Sequence, residues 1–265
     1  MNFINFLKGI AISISQLIPG VSGGTIAIIL GIYDKLLHAV NNILKDFKNQ
    51  YKLLLEVGLG AVVGIILFSR IIEVAFDKYP IQLGYLFIGI ILGGAPLMYK
   101  KSKIEKIRIS NVLYFISGFI IVYFMGKLNS GVSEDIITNL TLTSTLLLFL
   151  GGILIAVALI LPGISGSFML YVLGLYGTVL SAINQRNIIV LIPLILGGIA
   201  GTLMTSNIIE KLLLKYPEQT YILIFGFILG SVFSVFPGFA LAESIVGIIL
   251  GILGFIFIYK ISSIC

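Results

Sequence analysis

Two short stretches of small and hydroxyl-bearing residues carry the strongest chemical signal in this sequence. Residues 18–25 read Ile-Pro-Gly-Val-Ser-Gly-Gly-Thr and residues 161–168 read Leu-Pro-Gly-Ile-Ser-Gly-Ser-Phe, each near the middle of a long apolar run. Proline lacks a backbone donor and breaks a helix, and glycine permits left-handed dihedral angles. We therefore predict a helix break in each stretch. The residues expected to break the helices are Pro19, Gly20, Pro162 and Gly163.

A helix that restarts after such a break exposes free N–H groups and the positive end of its dipole, which together favour a bound anion. The hydroxyls beside the break can add donors, and Gln16 on the preceding arm can add another. The alternative is that the hydroxyls only cap the helices and the glycines only allow close helix packing. The residues predicted to hold the anion are Ser22, Gly23, Gly24, Thr25, Ser165, Gly166 and Ser167.

The composition places these breaks inside a membrane. Hydrophobic residues make up 58% of the 265 residues and charged residues 11%, and the mean hydropathy is +1.15. A soluble domain of this length cannot hide so much apolar surface, and several apolar runs approach the ~20 residues that span a bilayer. Because hydrocarbon cannot satisfy broken backbone hydrogen bonds, we expect the two stretches to form the two halves of one polar site within the protein.

Charge and cysteine content exclude several other classes of protein. The net charge of +6 is spread between apolar segments, which favours anionic membrane lipids as partners and argues against nucleic acid. The single cysteine is Cys265, so neither an intrachain disulfide nor a thiolate metal site is expected. We predict no metal and no cofactor. The single histidine, His38, is expected to be simply solvated.

The second half of the chain repeats the first. Ile71-Ile72-Glu73 recurs as Ile208-Ile209-Glu210, and Lys78-Tyr79-Pro80 recurs as Lys215-Tyr216-Pro217, both 137 positions later. An ordered series of such matches predicts a tandem duplication. The predicted repeats of this single transmembrane domain span residues 1–130 and 140–265.

Each repeat contains five apolar segments, which can be arranged in two ways. In the arrangement that we favour, the first two segments form a re-entrant helical hairpin with the Pro-Gly break at its tip, and about three helices cross the membrane. In the other arrangement, both arms of the hairpin cross as well. Three and five are both odd, so the second repeat is inverted in either case, which is typical of secondary transporters. The predicted fold class is an all-α, polytopic membrane protein with two inverted-topology repeats.

Basic residues predict the orientation in the membrane. In either arrangement, thirteen of the lysine and arginine residues lie on the side of the two termini, and four lie on the other side. By the positive-inside rule, both termini are predicted to be cytoplasmic. The four exceptions are Arg70, Lys78, Lys127 and Arg186.

Further candidates for gating or ion coupling are Gln16, Arg70, Glu73 and Glu210. Glu73 and Glu210 occupy matched positions in the two repeats, and Arg70 precedes Glu73 by the three residues typical of a helical ion pair. The alternative is ordinary ionisation at the membrane interface. Glu56 lies within an apolar segment, but near enough to its end that we expect the carboxylate to reach water.

The two Pro-Gly-(Val/Ile)-Ser-Gly elements are each followed by Gly-(Ile/Leu)-Tyr, at residues 31–33 and 174–176. Together they resemble the PopT-type polyprenyl-phosphate transporter family over essentially the whole chain. The resemblance implies a flippase in the bacterial plasma membrane that returns undecaprenyl phosphate from the outer to the inner leaflet, recycling this carrier lipid for cell-wall synthesis. It also implies that the phosphate head binds at the two motifs. Ser167 stands where the first motif has Gly24, so the two half-sites need not bind equally.

Two other functions stay open. A secondary transporter of a small soluble anion fits the same helix breaks. A polyprenyl-diphosphate phosphatase fits less well, because one phosphatase family with a similar Pro-Gly-x-Ser motif continues with arginine and serine, where this chain has Gly23 and Gly24. Without that arginine, no charged group is positioned to stabilise phosphoryl transfer, so we predict that the protein is not an enzyme. The coupling ion (protons or another ion), the oligomeric state and the prenyl length are not determined by the sequence.

Overall fold

The computed structural model describes residues 2–18, 20–43, 45–104, 106, 108–127 and 136–264. These residues form thirteen helices and no strand, which confirms the predicted all-α fold class. Pro19, the side chain of Ser167, and residues 128–135 at the predicted repeat junction lie outside the described part.

The helices fall into two series of similar order, in which one arm is followed by two short helices and then by longer ones. The first series is α1 (Phe3–Gln16), α2 (Gly23–Ile29), α3 (Tyr33–Asn42), α4 (Phe47–Lys78), α5 (Pro80–Gly93), α6 (Ala95–Ser102) and α7 (Ile109–Met125). The second series is α8 (Leu142–Ile160), α9 (Gly166–Val172), α10 (Tyr176–Asn184), α11 (Ile188–Lys215), α12 (Pro217–Val235) and α13 (Leu241–Ile264).

Six stretches of the described chain are long and apolar enough to cross a bilayer, which makes this a polytopic membrane protein. With 14 residues, α1 is too short to be one of them, whereas its counterpart α8 has 19 and is long enough. At 17 residues, α7 is apolar but shorter than a full span, and α2 and α3 form a pair bent by 114°. The six stretches are Phe47–Lys78, Pro80–Ser102, Leu142–Ile160, Ile188–Lys215, Pro217–Val235 and Glu243–Ser262.

Glycines allow the long helices to approach one another backbone to backbone. α1 packs against α4, and α8 packs against α11. A Cβ atom built on Gly60 of α4 would lie 2.0 Å from the Phe6 carbonyl oxygen of α1, and one built on Gly197 of α11 would lie 1.9 Å from the Phe149 carbonyl oxygen of α8. No larger side chain fits at these crossings without moving a helix, which is how small residues hold helices together in a membrane.

Two other tight helix pairs join different predicted repeats. α5 packs on α13, where a Cβ atom on Gly89 would lie 1.9 Å from the Gly251 carbonyl oxygen. α7 packs on α12, where a Cβ atom on Gly226 would lie 2.2 Å from the Phe115 carbonyl oxygen. Gly89 and Gly226 are 137 positions apart, the same offset as the sequence repeats. Each tight pair therefore has a counterpart, and each predicted repeat packs its last helix on the other.

One end of the bundle is joined by polar contacts between segments that are far apart in the chain. We call this end, formed by the start of α1, α3, α6, the start of α12 and the end of α11, the basic face. There Lys101 Nζ donates to Asp34 at 2.8 Å, and Asn111 Nδ2 donates to Glu218 at 2.8 Å. The segments predicted to share one side of the membrane thus lie together, and the assignment of that side to the cytoplasm stays a prediction.

Two polar residues at the basic face differ from expectation. Glu56 was expected to reach water, but it is 2% exposed and accepts hydrogen bonds from the Asn2 backbone N–H and, at 2.8 Å, from Asn5 Nδ2. His38 was expected to be simply solvated, but its Nδ1 lies 2.7 Å from Glu210 Oε1. The expectation for Glu56 was wrong because α1 covers its carboxylate. The His38 side chain is 58% exposed, so it is solvated as expected but also has a partner on α11.

Candidate functional site

The first motif forms the tip of a hairpin made by α1 and α2, which we call the first hairpin. α1 ends at Gln16 and α2 begins at Gly23, and the chain reverses between them with Gly20 at φ +80°. α2 then runs back beside α1, so that Lys8 Nζ donates to the Leu30 carbonyl oxygen at 2.6 Å. The chain thus reverses at the motif, as both predicted arrangements of the hairpin require, and the re-entrant arrangement stays a prediction.

The second motif repeats this geometry between α8 and α9, which we call the second hairpin. Gly163 has φ +86° and Gly174 has φ +66°, close to the +80° and +65° of the matching glycines in the first hairpin. A Cβ atom built on Gly151 in the middle of α8 would lie 2.3 Å from Leu175 Cδ1, so the chain after α9 has returned alongside α8. Since φ near +80° is unfavourable for residues with a Cβ, glycine is required at these reversals.

The tips of the two hairpins meet inside the bundle. The helix break at the second tip leaves backbone N–H and carbonyl groups without helical partners, and hydrocarbon could not satisfy them. Side chains of the first hairpin form hydrogen bonds with these groups instead. The contacts are Gly163 N–H to Thr25 Oγ1 at 2.9 Å, Ser22 Oγ to the Leu161 carbonyl oxygen at 3.5 Å, and Tyr33 Oη to the Ile160 carbonyl oxygen at 3.0 Å. Residues from both motifs are therefore brought together, as the sequence predicts for one shared site.

The first turn of α2 retains free backbone donors. Neither Gly23 nor Gly24 has an acceptor for its N–H group among the described residues, because Ser22 makes no side-chain cap and the first helical bonds begin at Thr25. The amide of Gln16 lies against Gly23, where a Cβ atom would come within 2.4 Å of Gln16 Nε2. The first turn of α2 and the adjacent Gln16 therefore offer two main-chain donors and one side-chain amide to an anionic group.

A cavity of about 390 Å³ opens on the side of the joined tips away from the basic face. None of its lining residues carries a charge, and its polar groups are hydroxyls and main-chain atoms near Gly20 and Gly163. The lining residues are Gly20, Val122, Met125, Gly126, Gly163, Ile164, Ser165, Phe168, Tyr176 and Ser234. Hydroxyls and main-chain dipoles can solvate an anionic group here, whereas the remaining walls suit a hydrocarbon chain.

A smaller cavity of about 160 Å³ lies on the other side of the tips, toward the basic face. It too is lined without a charged side chain, and it includes the free donors of the first hairpin. The lining residues are Ile12, Gln16, Gly23, Gly24, Ala27, Tyr33, Leu36, Leu37, Val40, Leu159, Ile160, Thr202 and Ser206. The joined tips thus separate two cavities of unequal size.

The predicted gating residues fall in three places. Gln16 lines the smaller cavity. Glu210 lies at the basic face, where Asn41 Nδ2 donates to its carboxylate. Arg70 and Glu73 form the predicted ion pair at 2.9 Å, with side chains 79% and 60% exposed, and the contacts of the described residues do not bring this pair to the motifs. Within the described part of the chain, no cluster of three histidine, cysteine or acidic residues could hold a metal ion.

Two tyrosines belong to the site but were not predicted to. Tyr33 lines the smaller cavity and Tyr176 lines the larger one, at equivalent positions two residues after the positive-φ glycines Gly31 and Gly174. Their signal was present in the sequence, since the shared Gly-(Ile/Leu)-Tyr marks the repeat. The sequence did not show that the chain turns at each glycine and thereby places the tyrosine near the tips.

The Thr25 hydroxyl is expected to stabilise the junction of the two tips. Thr25→Val keeps the shape of the side chain but leaves the Gly163 N–H without its buried acceptor, which should lower the free energy of unfolding by about 1–3 kcal/mol. Thr25→Ser keeps the hydroxyl and serves as the control. Unfolding in mixed micelles would measure both variants, and a Thr25→Val protein as stable as the Thr25→Ser protein would contradict this role.

Comparison with known proteins agrees with the geometry. The family described as undecaprenyl phosphate translocase-like matches residues 12–247. A polyprenyl-phosphate transporter of Staphylococcus aureus is 34% identical over 96% of this chain and 94% of its own length. A polyprenyl-phosphate transporter of Vibrio cholerae serotype O1 is 32% identical over 89% of this chain and 79% of its own length. No solved structure matches the chain significantly. The chain therefore belongs to the undecaprenyl phosphate translocase-like family.

Proposed function

We propose that this protein transports a polyprenyl phosphate, and specifically that it moves undecaprenyl phosphate from the outer to the inner leaflet of the bacterial plasma membrane. The observation that carries the proposal is the meeting of two broken hairpins inside the bundle, with an uncharged, hydroxyl-lined cavity on either side. Membership of the translocase-like family and the names of its relatives support the same substrate.

The phosphate head binds between the two tips while the polyprenyl tail stays in the surrounding lipid. Donors come from both motifs: Ser22, Gly23, Gly24 and Thr25 on the first hairpin, and Ser165, Gly166 and Ser167 on the second. In the present state Thr25 is bonded to the second tip, so passage of the head requires the two hairpins to move apart on one side at a time. Rocking of one repeat against the other, as in inverted-repeat transporters, would provide that motion.

The absence of charge from the lining of both cavities suggests how the head is neutralised. A phosphate monoester carries between one and two negative charges at neutral pH, since its second pKa is about 6. An unpaired dianion in such a site would be costly to desolvate. We therefore propose that a proton or another coupling ion accompanies the head.

The basic face is the cytoplasmic face in this proposal, and both termini lie on that side. The repeats are then inverted, so that the first hairpin opens toward the cytoplasm and the second opens outward. Exposed basic residues at this face, such as Lys100 and Lys103, would attract anionic headgroups at about 1 kcal/mol per residue.

Transport is better supported than either alternative. The relatives are named as transporters, and neither cavity is lined by an acid, a base or a cation that could promote phosphoryl transfer. The apolar wall of the larger cavity, which includes Val122, Met125 and Phe168, suits a lipid rather than a small soluble anion.

Depletion of the protein tests the function directly. In cells that lack other transporters of this lipid, depletion should leave undecaprenyl phosphate on the outer surface, where a headgroup-specific probe would detect its accumulation. Unchanged surface lipid would count against the proposal, and phosphate release from the diphosphate by the purified protein would support a phosphatase instead.

Substitutions at the first tip should abolish transport without preventing expression. Leucine at Gly24 would push against the second hairpin, since a Cβ atom there already lies 3.1 Å from the Ile160 carbonyl oxygen, and arginine at Ser22 would fill the site. We expect Gly24→Leu and Ser22→Arg to reduce clearance of the surface lipid to the level of depleted cells. Gly58→Leu is the control, because nothing lies within 4 Å of a Cβ atom at Gly58. Normal clearance by the Gly24→Leu protein would show that the tips need not fit closely.

A further inference from the structure

We propose that the larger cavity is the loading site for the phosphate monoester of a polyprenol, and that the hydroxyls of Ser165, Tyr176 and Ser234 receive its head. This inference rests on the proposed function and adds the point of entry and the residues that bind there. Tyr176 and Ser234 lie outside the two motifs, at the start of α10 and near the end of α12.

The cavity offers both polar groups for a phosphate head and apolar groups for a prenyl chain. Ser165 directly precedes α9, Tyr176 begins α10 and Ser234 lies near the end of α12. All three residues line the cavity, where their hydroxyls can donate to phosphate oxygens. Met125 and Phe168 provide apolar contact beside them. Inorganic phosphate could use only the hydroxyls, and an uncharged polyprenol could use only the apolar contacts. A molecule with both a phosphate and a prenyl chain should therefore bind most tightly.

The two equivalent tyrosines differ in exposure, which favours the larger cavity as the point of entry. Tyr33 is 4% exposed, and its hydroxyl is bonded to the opposite tip at 3.0 Å. Tyr176 is 39% exposed in the larger cavity. A head arriving from the side opposite the basic face can therefore reach Tyr176, whereas Tyr33 is buried against the second hairpin.

Charged contacts tie the helices together on the side of the smaller cavity. Directly after Tyr33, Asp34 accepts from Lys101 at 2.8 Å and from Tyr221 at 2.9 Å, which ties the start of α3 to α6 and α12. The position equivalent to Asp34 in the second half is Gly177, which has no side chain to make such a tie. The tie made by Asp34 therefore has no counterpart at position 177, and we assign the larger cavity, beside α10, as the loading side.

Direct binding tests the assignment of the hydroxyls. The purified full-length chain in nanodiscs is titrated with farnesyl phosphate, and separately with farnesol and with inorganic phosphate. We expect farnesyl phosphate to bind at least about tenfold more tightly than either fragment, and Tyr176→Phe to weaken its binding about tenfold, the loss of one hydrogen bond to a charged group. Tyr114→Phe, on the exposed surface of α7, is the matched control and should bind as the wild type does.

Accessibility provides a second measurement. In a Cys265→Ser background, Ser234→Cys in proteoliposomes should react with an impermeant thiol reagent added on the side opposite the basic face, and farnesyl phosphate should protect it. Ser110→Cys, exposed near the basic face, should react from the other side and gain no protection.

The outcomes separate this inference from the proposed function. Tight binding of farnesyl phosphate that neither depends on Tyr176 nor protects Ser234→Cys would overturn the loading site and leave the transport proposal standing. If inorganic phosphate binds as tightly as farnesyl phosphate, the site does not recognise the prenyl chain and the ligand is not a lipid phosphate. Absence of binding together with unchanged surface lipid after depletion would overturn the proposed function, and the loading site with it.

Discussion

Gly163→Ala is expected to reduce transport at least about tenfold, because it disturbs the point where the two hairpins meet. Alanine at φ +86° is strained by about 1–2 kcal/mol. Its Cβ atom would also lie 2.5 Å from the Phe227 carbonyl carbon and 2.8 Å from the Ile228 nitrogen, both backbone atoms of α12. Since neither atom can rotate away, the tip must move and the hydrogen bond to Thr25 is lost. Clearance of surface lipid and unfolding in mixed micelles would measure the two effects.

Gly238→Ala separates the backbone strain from the steric clash. Gly238 has φ +83°, but nothing lies within 4 Å of a Cβ atom built there. This variant should lose about 1–2 kcal/mol of stability through strain alone and should keep its transport within about twofold. If the two alanine variants transport equally well, the fit of the second tip against α12 is not required for function.

Gly197→Ala is expected to destabilise the protein and Gly198→Ala is not, although the residues are adjacent in α11. A Cβ atom on Gly197 would lie 1.9 Å from the Phe149 carbonyl oxygen, whereas the nearest atom to one on Gly198 is 4.0 Å away. Gly197→Ala should therefore separate α11 from α8 and lower the free energy of unfolding by about 2–3 kcal/mol. Gly198→Ala should be neutral or stabilise by up to about 1 kcal/mol, because alanine is the better helix former.

The same pair of variants links packing to function. α8 carries the second tip at its end, so a shift of α8 in Gly197→Ala should also reduce transport. Unfolding in mixed micelles and clearance of surface lipid would be measured for both proteins. Equal stability of the two variants would mean that α8 and α11 can separate at little cost, contrary to the close glycine contact.

The sequence predicted the helix breaks well, because proline and glycine act through local backbone geometry. Gly20 and Gly163 adopt the positive φ values that reversal of the chain requires. The 137-residue offset between the halves also relates Gly89 and Gly226, the glycines at two of the close helix crossings. The assignment of Ser22 and Ser165 to an anion site is still a prediction, since it depends on a ligand and on motion that local rules do not describe.

The polar contacts of the basic face could not be predicted, because each joins helices that are distant in the chain. His38 and Glu210 are 172 positions apart, and Asp34 and Tyr221 are 187 apart. No local pattern marks such pairs, and a hydrophilic residue near a helix end looks the same whether it faces water or a partner.

The packing of α5 on α13 and of α7 on α12 has an evolutionary consequence. A half-length ancestor would have had nothing of its own to cover its final helix and could have buried it only on a second copy. If the predicted duplication took place, we infer that such an ancestor worked as a dimer in which each subunit covered the final helix of the other, and that gene fusion joined the two subunits into one chain. Splitting the present gene at the junction should accordingly yield halves that fail singly but restore activity when produced together.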